Sequence, residues 1–173
     1  MRSSGAPIYR SNLGNVDATR RSPGSLGAIP VSADPLWYAL RDAVFGREFG
    51  VAEKLLLGNP VLTSLRDGLG ETVLHFLAVE NDGDGVSWLH AQGFDLDTKN
   101  DFGTPVVFEV AQLGYKELIL WFLAQGVNIE ARNRSGQNVI EALREYDKPD
   151  MCAFLLEHAP DLAFNTDAKL PPI

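Results

Sequence analysis

Gly70, Gly103 and Gly136 stand 33 residues apart. Gly93 and Gly126 keep the same interval, and Ala159 falls at the next step. Apolar positions follow in register: Leu74, Val107 and Ile140; Trp88, Trp121 and Phe154; Leu89, Phe122 and Leu155. Gln92 and Gln125 match within a shared Ala-Gln-Gly. A fixed period of this length is the signature of stacked supersecondary units. One such unit cannot bury its own apolar face, so neighbours must stack to make a continuous core.

Each copy has the same internal order. A Gly-containing turn precedes a short apolar-periodic helix, such as Val73–Val79. A second helix follows, such as Lys116–Ala124, and Gly126 stands where a left-handed residue closes a helix. Gly114 permits a tight reversal between the two helices of the middle copy. The expected fold is all-α: a solenoid of helix-turn-helix units with three recognisable repeats and a divergent N-terminal cap. Leu74, Leu89, Phe122, Ile140 and Leu155 should dominate its stability, at about 1.5–3 kcal/mol for each buried side chain.

These residues also carry a family resemblance. Gly70-Glu71-Thr72-Val73-Leu74-His75 resembles the ankyrin signature Gly-x-Thr-Pro-Leu-His. Gly93-Phe94-Asp95-Leu96-Asp97-Thr98-Lys99-Asn100 is similar to the ankyrin linker, and so is Gly126-Val127-Asn128-Ile129-Glu130-Ala131-Arg132-Asn133. Gly103-Thr104-Pro105-Val106-Val107-Phe108 is a looser copy, and Gly136-Gln137-Asn138-Val139-Ile140-Glu141 looser still. Asn81 and Asp147 replace the mid-repeat glycine that Gly114 keeps. The resemblance implies an ankyrin-repeat domain over 34–160, with repeats near 34–66, 67–99, 100–132 and 133–160. A Ser/Gly/Arg-rich flexible leader, 1–33, precedes it, and a tail, 161–173, follows.

Composition narrows the function classes. Hydrophobic residues make up 45% of the 173 and charged residues 22%, as in ordinary globular chains. No apolar run approaches the roughly 18 residues of a membrane helix. Arg2 has no apolar stretch behind it, and neither has Arg20-Arg21, so no export signal is expected. The leader's Arg-rich composition resembles a transit peptide but places no arginines opposite a bulky apolar face. A single cysteine, Cys152, excludes a disulfide framework and points to a reducing, cytoplasmic setting. The leader carries four Arg and one acid, giving +3; the other 140 residues carry 11 basic and 22 acidic side chains, giving −11. A body this acidic repels phosphate backbones and favours a basic protein partner.

Reactive chemistry finds little footing. His75 sits where the family has a histidine that hydrogen-bonds neighbouring turns. His90 occupies a slot that Leu123 and Leu156 fill in the next copies, so it needs a polar partner or an edge position. His158 lies near a helix end, where a cation suits the dipole. None stands at i, i+4 from another histidine, so no helical metal motif exists. Cys152 is expected to be buried and inert. Glu80-Asn81-Asp82-Gly83-Asp84-Gly85 resembles a calcium loop but lacks the Glu that an EF-hand needs seven residues on. It reads as an acidic connector. There is no phosphate loop and no nucleophile elbow. The expectation is a non-enzyme, monomeric on its own, without cofactor or metal.

The family resemblance places the contact face on the turns and first helices. The turn positions are Gly68, Leu69 and Glu71; Asp101, Phe102 and Thr104; Arg134, Ser135 and Gln137. The helix positions are Val79 and Glu80, Gln112 and Leu113, Glu145 and Tyr146. Leu69, Val79, Phe102, Leu113 and Tyr146 are apolar or aromatic where solvent is expected, with Phe102, Leu113 and Tyr146 the hot spots. Glu71, Glu80, Asp101 and Glu145 would steer a basic patch. The in-register Trp88, Trp121 and Phe154 are expected to pack between repeats. Such a chain serves as an adaptor or scaffold. The alternatives are an inhibitor or immunity protein that blocks a basic cleft, and a secreted effector that seizes a host protein. An enzyme ranks last.

Overall fold

The computed structural model describes residues 34–163, and over them the chain is helical with no strand. The readings placed on the 1–33 leader and on residues beyond 163 lie outside the described residues. Eight α-helices follow in order: α1 (Pro35–Phe45), α2 (Phe49–Gly58), α3 (Val73–Val79), α4 (Gly83–Ala91), α5 (Val106–Leu113), α6 (Lys116–Ala124), α7 (Val139–Glu145) and α8 (Pro149–His158). Short 3₁₀ turns, Pro60–Thr63 and Pro160–Ala163, follow the first and last pairs. The first helices of the last three pairs begin at Val73, Val106 and Val139, at the interval of the turn glycines. The sequence places α3 and α6 at the same bounds as the structure.

Packing runs from pair to pair. α1 lies against α2 and α3, α3 against α4 and α5, α5 against α6 and α7, and α7 against α8. The second helices also touch, α6 against α8. Leu74, Leu89, Phe122, Ile140 and Leu155 are fully buried in one continuous apolar cluster. Leu162, assigned to the tail by sequence, is fully buried too, so the packed body extends past residue 160. Trp37 ties the first pair to the second: its Nε1–H donates to the Glu71 carbonyl at 3.0 Å, and its ring meets Phe76 edge-on.

The reversal inside each pair needs a left-handed residue. Gly114 adopts φ +80°, and the other three pairs use Arg47 (+64°), Asn81 (+57°) and Asp147 (+54°). A non-glycine residue there bears a steric penalty of about 1 kcal/mol or more. Arg47 has a compensating contact. Its guanidinium grips Asp82 with both nitrogens, at 2.8 and 2.6 Å, and this pairing holds the arginine more firmly charged. Asp82, otherwise buried, also caps α4 by accepting from the Gly85 N–H at 3.0 Å. The acidic connector is thus a helix start clamped to the preceding pair. Asp82→Ala removes the cap and orphans Arg47. Because Arg47 is half exposed, much of its charge is screened by water. The expected loss is about 2 kcal/mol, mostly the cap and the buried hydrogen bonds, read as a lower urea midpoint with an unchanged slope. A midpoint equal to wild type would show that the clamp is idle.

The aromatic positions pack between pairs, each with a different partner. Trp88 stacks on Phe49, Trp121 meets the His90 ring edge-on, and Phe154 lies under the Lys116 ammonium.

Candidate functional site

Three turns share one construction, built around an Asx residue. Asp67 Oδ1 accepts from the Leu69 and Glu71 N–H groups, at 2.9 and 3.0 Å. Asn100 Oδ1 accepts from Phe102 and Thr104, at 3.0 and 3.1 Å. Asn133 Oδ1 accepts from Ser135 and Gln137, both at 3.0 Å. A side-chain oxygen that satisfies two backbone donors fixes the loop without a strand on either side. Gly70, Gly103 and Gly136 turn the chain back at φ +75°, +73° and +80°.

The tips are also joined to each other. The Asp101 N–H donates to the Leu69 carbonyl at 3.0 Å, and Arg134 Nη2 donates to the Asp101 carbonyl at 2.7 Å. Below them, Arg66 Nη1 donates to the Gly70 and Lys99 carbonyls, and Lys99 Nζ to the Arg132 carbonyl. Leu69, Asp101, Phe102, Thr104, Arg134 and Gln137 therefore sit on one linked row of loops. Gln137 Nε2 reaches the Glu145 carboxylate at 2.6 Å, connecting the last tip to the end of α7.

Exposure divides the sequence-selected positions. Phe102 is 38% exposed and Tyr146 44%, high for aromatic side chains. Asp101, Arg134 and Glu145 are exposed, and Leu69, Glu80, Thr104, Gln112, Leu113 and Gln137 are half-buried. Two expectations fail. Val79 is 6% exposed and Glu71 7%, so neither stands on the surface. Val79 ends the short helix α3 and is covered by the next pair, whose Tyr115 hydroxyl donates to its carbonyl at 3.3 Å. Glu71 is drawn inward beside His75.

Glu71, His75 and Glu109 form a buried cluster between α3 and α5. Each offers one donor atom, and these atoms lie within 4.8 Å of one another. His75 is fully buried, with Nε2 3.1 Å from Glu109 Oε2. Asn100 Nδ2 donates to the other Glu109 oxygen at 2.8 Å. Burial by itself favours the neutral imidazole. The Glu109 hydrogen bond and the charges of Glu109, Glu71 and Asp67 outweigh it and raise the His75 pKa. His75 Nδ1 has no hydrogen-bond partner.

The sequence reading places His75 in a structural role but overlooks Glu109 entirely. The available signal was an acid interrupting the apolar run Val106-Val107-Phe108-Glu109-Val110-Ala111, one repeat and one residue past His75. Asp67 and the turn-building role of Asn100 and Asn133 also go unread in the sequence, although the three recur at the 33-residue interval. The other polar candidates are accounted for. His90 Nδ1 lies 3.2 Å from the Phe94 carbonyl, and His158 Nδ1 2.9 Å from that of Phe154. Cys152 is buried, which pushes its thiol pKa up and makes the thiolate scarce. A groove of about 350 Å³ lies along α4 and α6, lined by Asp84, Ser87, Glu117 and Trp121 among others. It is on second helices, apart from the linked tips.

Among the described residues, no helix is long and apolar enough to cross a membrane. No protein-family model matches the chain, and a search of curated proteins finds no match.

Proposed function

We propose that this chain is an ankyrin-repeat solenoid that works without catalysis, by docking one protein partner on its linked tips and the ends of its first helices. The observation that carries the reading is the row of hydrogen-bonded loops, with Phe102 exposed on its middle tip and Tyr146 exposed at the end of α7. A rigid scaffold loses little entropy on binding, and exposed aromatics on its contact face supply most of the affinity. Asp101, Glu80 and Glu145 add an acidic character that favours a basic patch on the partner and speeds encounter. Glu71 and Val79, being buried, drop out of the contact set. The adaptor role and the cytoplasmic setting belong to the same proposal.

The test is affinity capture with the full chain and with the double variant Phe102→Ala/Tyr146→Ala, compared by mass spectrometry. A partner held by the wild type should fall at least tenfold with the double variant, about 1.4 kcal/mol or more. Its association rate should drop as salt rises. A partner retained equally by both would remove this face from the proposal. An inhibitor would further suppress the captured protein's activity, which an adaptor leaves unchanged.

A further inference from the structure

We propose that His75, Glu109 and Asn100 form a buried positioning relay for the middle tip, and that the tip loosens when His75 gives up its proton. The inference rests on the docking surface proposed above and supplies its regulation. His75 comes from α3, Glu109 from α5 of the following pair, and Asn100 from the turn before α5. All three are buried.

Asn100 faces both ways. Its Nδ2 donates to Glu109 Oε1 at 2.8 Å, and its Oδ1 accepts from the Phe102 and Thr104 N–H groups at 3.0 and 3.1 Å. The second Glu109 oxygen lies 3.1 Å from His75 Nε2. Four hydrogen bonds thus lead from the core of the second pair to the backbone of the tip that carries Phe102. The last tip has the same turn without the relay: Asn133 Nδ2 donates to Gln137 Oε1 at 2.9 Å, not to a buried carboxylate. The members of a buried polar network polarise one another, so a change at one end is felt along it.

The charge on His75 sets the strength of the relay. A carboxylate oxygen only accepts, so Nε2 carries the shared proton in either state, and protonation adds a full charge opposite Glu109. Burial opposes that charge, and Nδ1 makes no hydrogen bond. Glu109 from α5, with Glu71 and Asp67 from the turn before α3, outweighs burial and raises the His75 pKa. The other packed elements spend their charges elsewhere. Arg41 of α1 lies over the Phe76 ring and pairs with Asp42. At α4, Asp82 and Asp84 face Arg47, and His90 faces the Phe94 carbonyl. A histidine pKa raised by folding gives its contribution in full below about pH 6.5 and loses it as pH rises through the raised value. Above that value Glu109 keeps its charge beside a neutral ring. The uncompensated buried carboxylate then draws toward water and pulls on Asn100.

The experiment follows the full isotope-labelled chain by NMR from about pH 5 to about pH 10. The His75 ring shifts report its proton. Amide exchange, divided by the intrinsic rate at each pH, reports the tips. Protection of the Phe102 and Thr104 amides should fall about tenfold as the His75 ring deprotonates, while the Ser135 and Gln137 amides keep theirs. Glu109→Gln should lower the His75 titration midpoint and make Phe102 and Thr104 protection independent of pH. Far-UV circular dichroism checks that this variant folds, and the wild-type titration carries the test by itself if it does not. A His75 ring that fails to titrate over the range would overturn the relay, as would Phe102 and Thr104 protection unmoved by its titration. An equal fall at Ser135 and Gln137 would overturn it too, since that marks a general loosening. None of these readouts needs a partner, so they fail separately from the docking reading, which capture with Phe102→Ala/Tyr146→Ala decides.

Discussion

Phe122→Ala should remove about 3–5 kcal/mol of stability. The ring is fully buried, in the middle of the apolar cluster that runs through the stacked pairs. Its loss removes transfer free energy and leaves a cavity that helices packed on two sides cannot close. Domains of this size hold only about 5–15 kcal/mol in total, so the variant sits near the edge of folding. Its melting temperature should drop by roughly 10–20 °C. Leu120→Ala, two residues earlier on the same helix and 39% exposed, should change stability by no more than about 0.5 kcal/mol. Calorimetric melting of both variants checks the contrast. A Phe122→Ala loss under 1 kcal/mol would mean that the core at this place is loosely packed.

Gly70→Ala is the second large effect, and it arises in a turn where the glycine is itself buried. Gly70 has φ +75°, which alone costs an alanine about 1–2 kcal/mol. A Cβ there would also lie 2.6 Å from the Asp101 backbone nitrogen, and closer still to the Asp101 carboxylate. That nitrogen donates to the Leu69 carbonyl, so the clash pushes apart the bond joining two tips. The expected cost is about 3–4 kcal/mol, the strain plus a lost buried-type hydrogen bond. Gly126→Ala is the control. Its φ is +78°, but nothing lies within 4 Å of the added carbon. It should cost only the backbone strain of about 1–2 kcal/mol. Denaturant melts of the two variants isolate the tip-to-tip contact as their difference. Equal losses would mean that the tips are not mechanically coupled.

The architecture was largely legible because hydrophobic periodicity repeats with the turn glycines. Leu74, Leu89 and Phe122 recur where the core needs them, and burial follows. Asn81 and Asp147 were recognisable as stand-ins for Gly114, and all three adopt a left-handed backbone. Arg47 does so too, without any local signature, since its cost is offset by an aspartate 35 residues away. The site was less legible. Asx turns carry no hydrophobic period, so Asp67, Asn100 and Asn133 looked like ordinary loop polarity. Family resemblance alone puts Glu71 and Val79 on the contact face, whereas both are buried. Glu109 acquires meaning only from His75, and no short-range pattern joins residues 34 positions apart.

The bonds that cross from one pair to the next share a narrow range of chain separation, from the 31 residues between Asp97 and Asn128 to the 36 between Val79 and Tyr115. The entropy of loop closure depends on that separation and not on total length. Each added hairpin therefore meets the same closure cost as the one before it, and contact order stays low however long the array becomes. If the proposed solenoid holds, folding nucleates at any hairpin and grows toward either terminus.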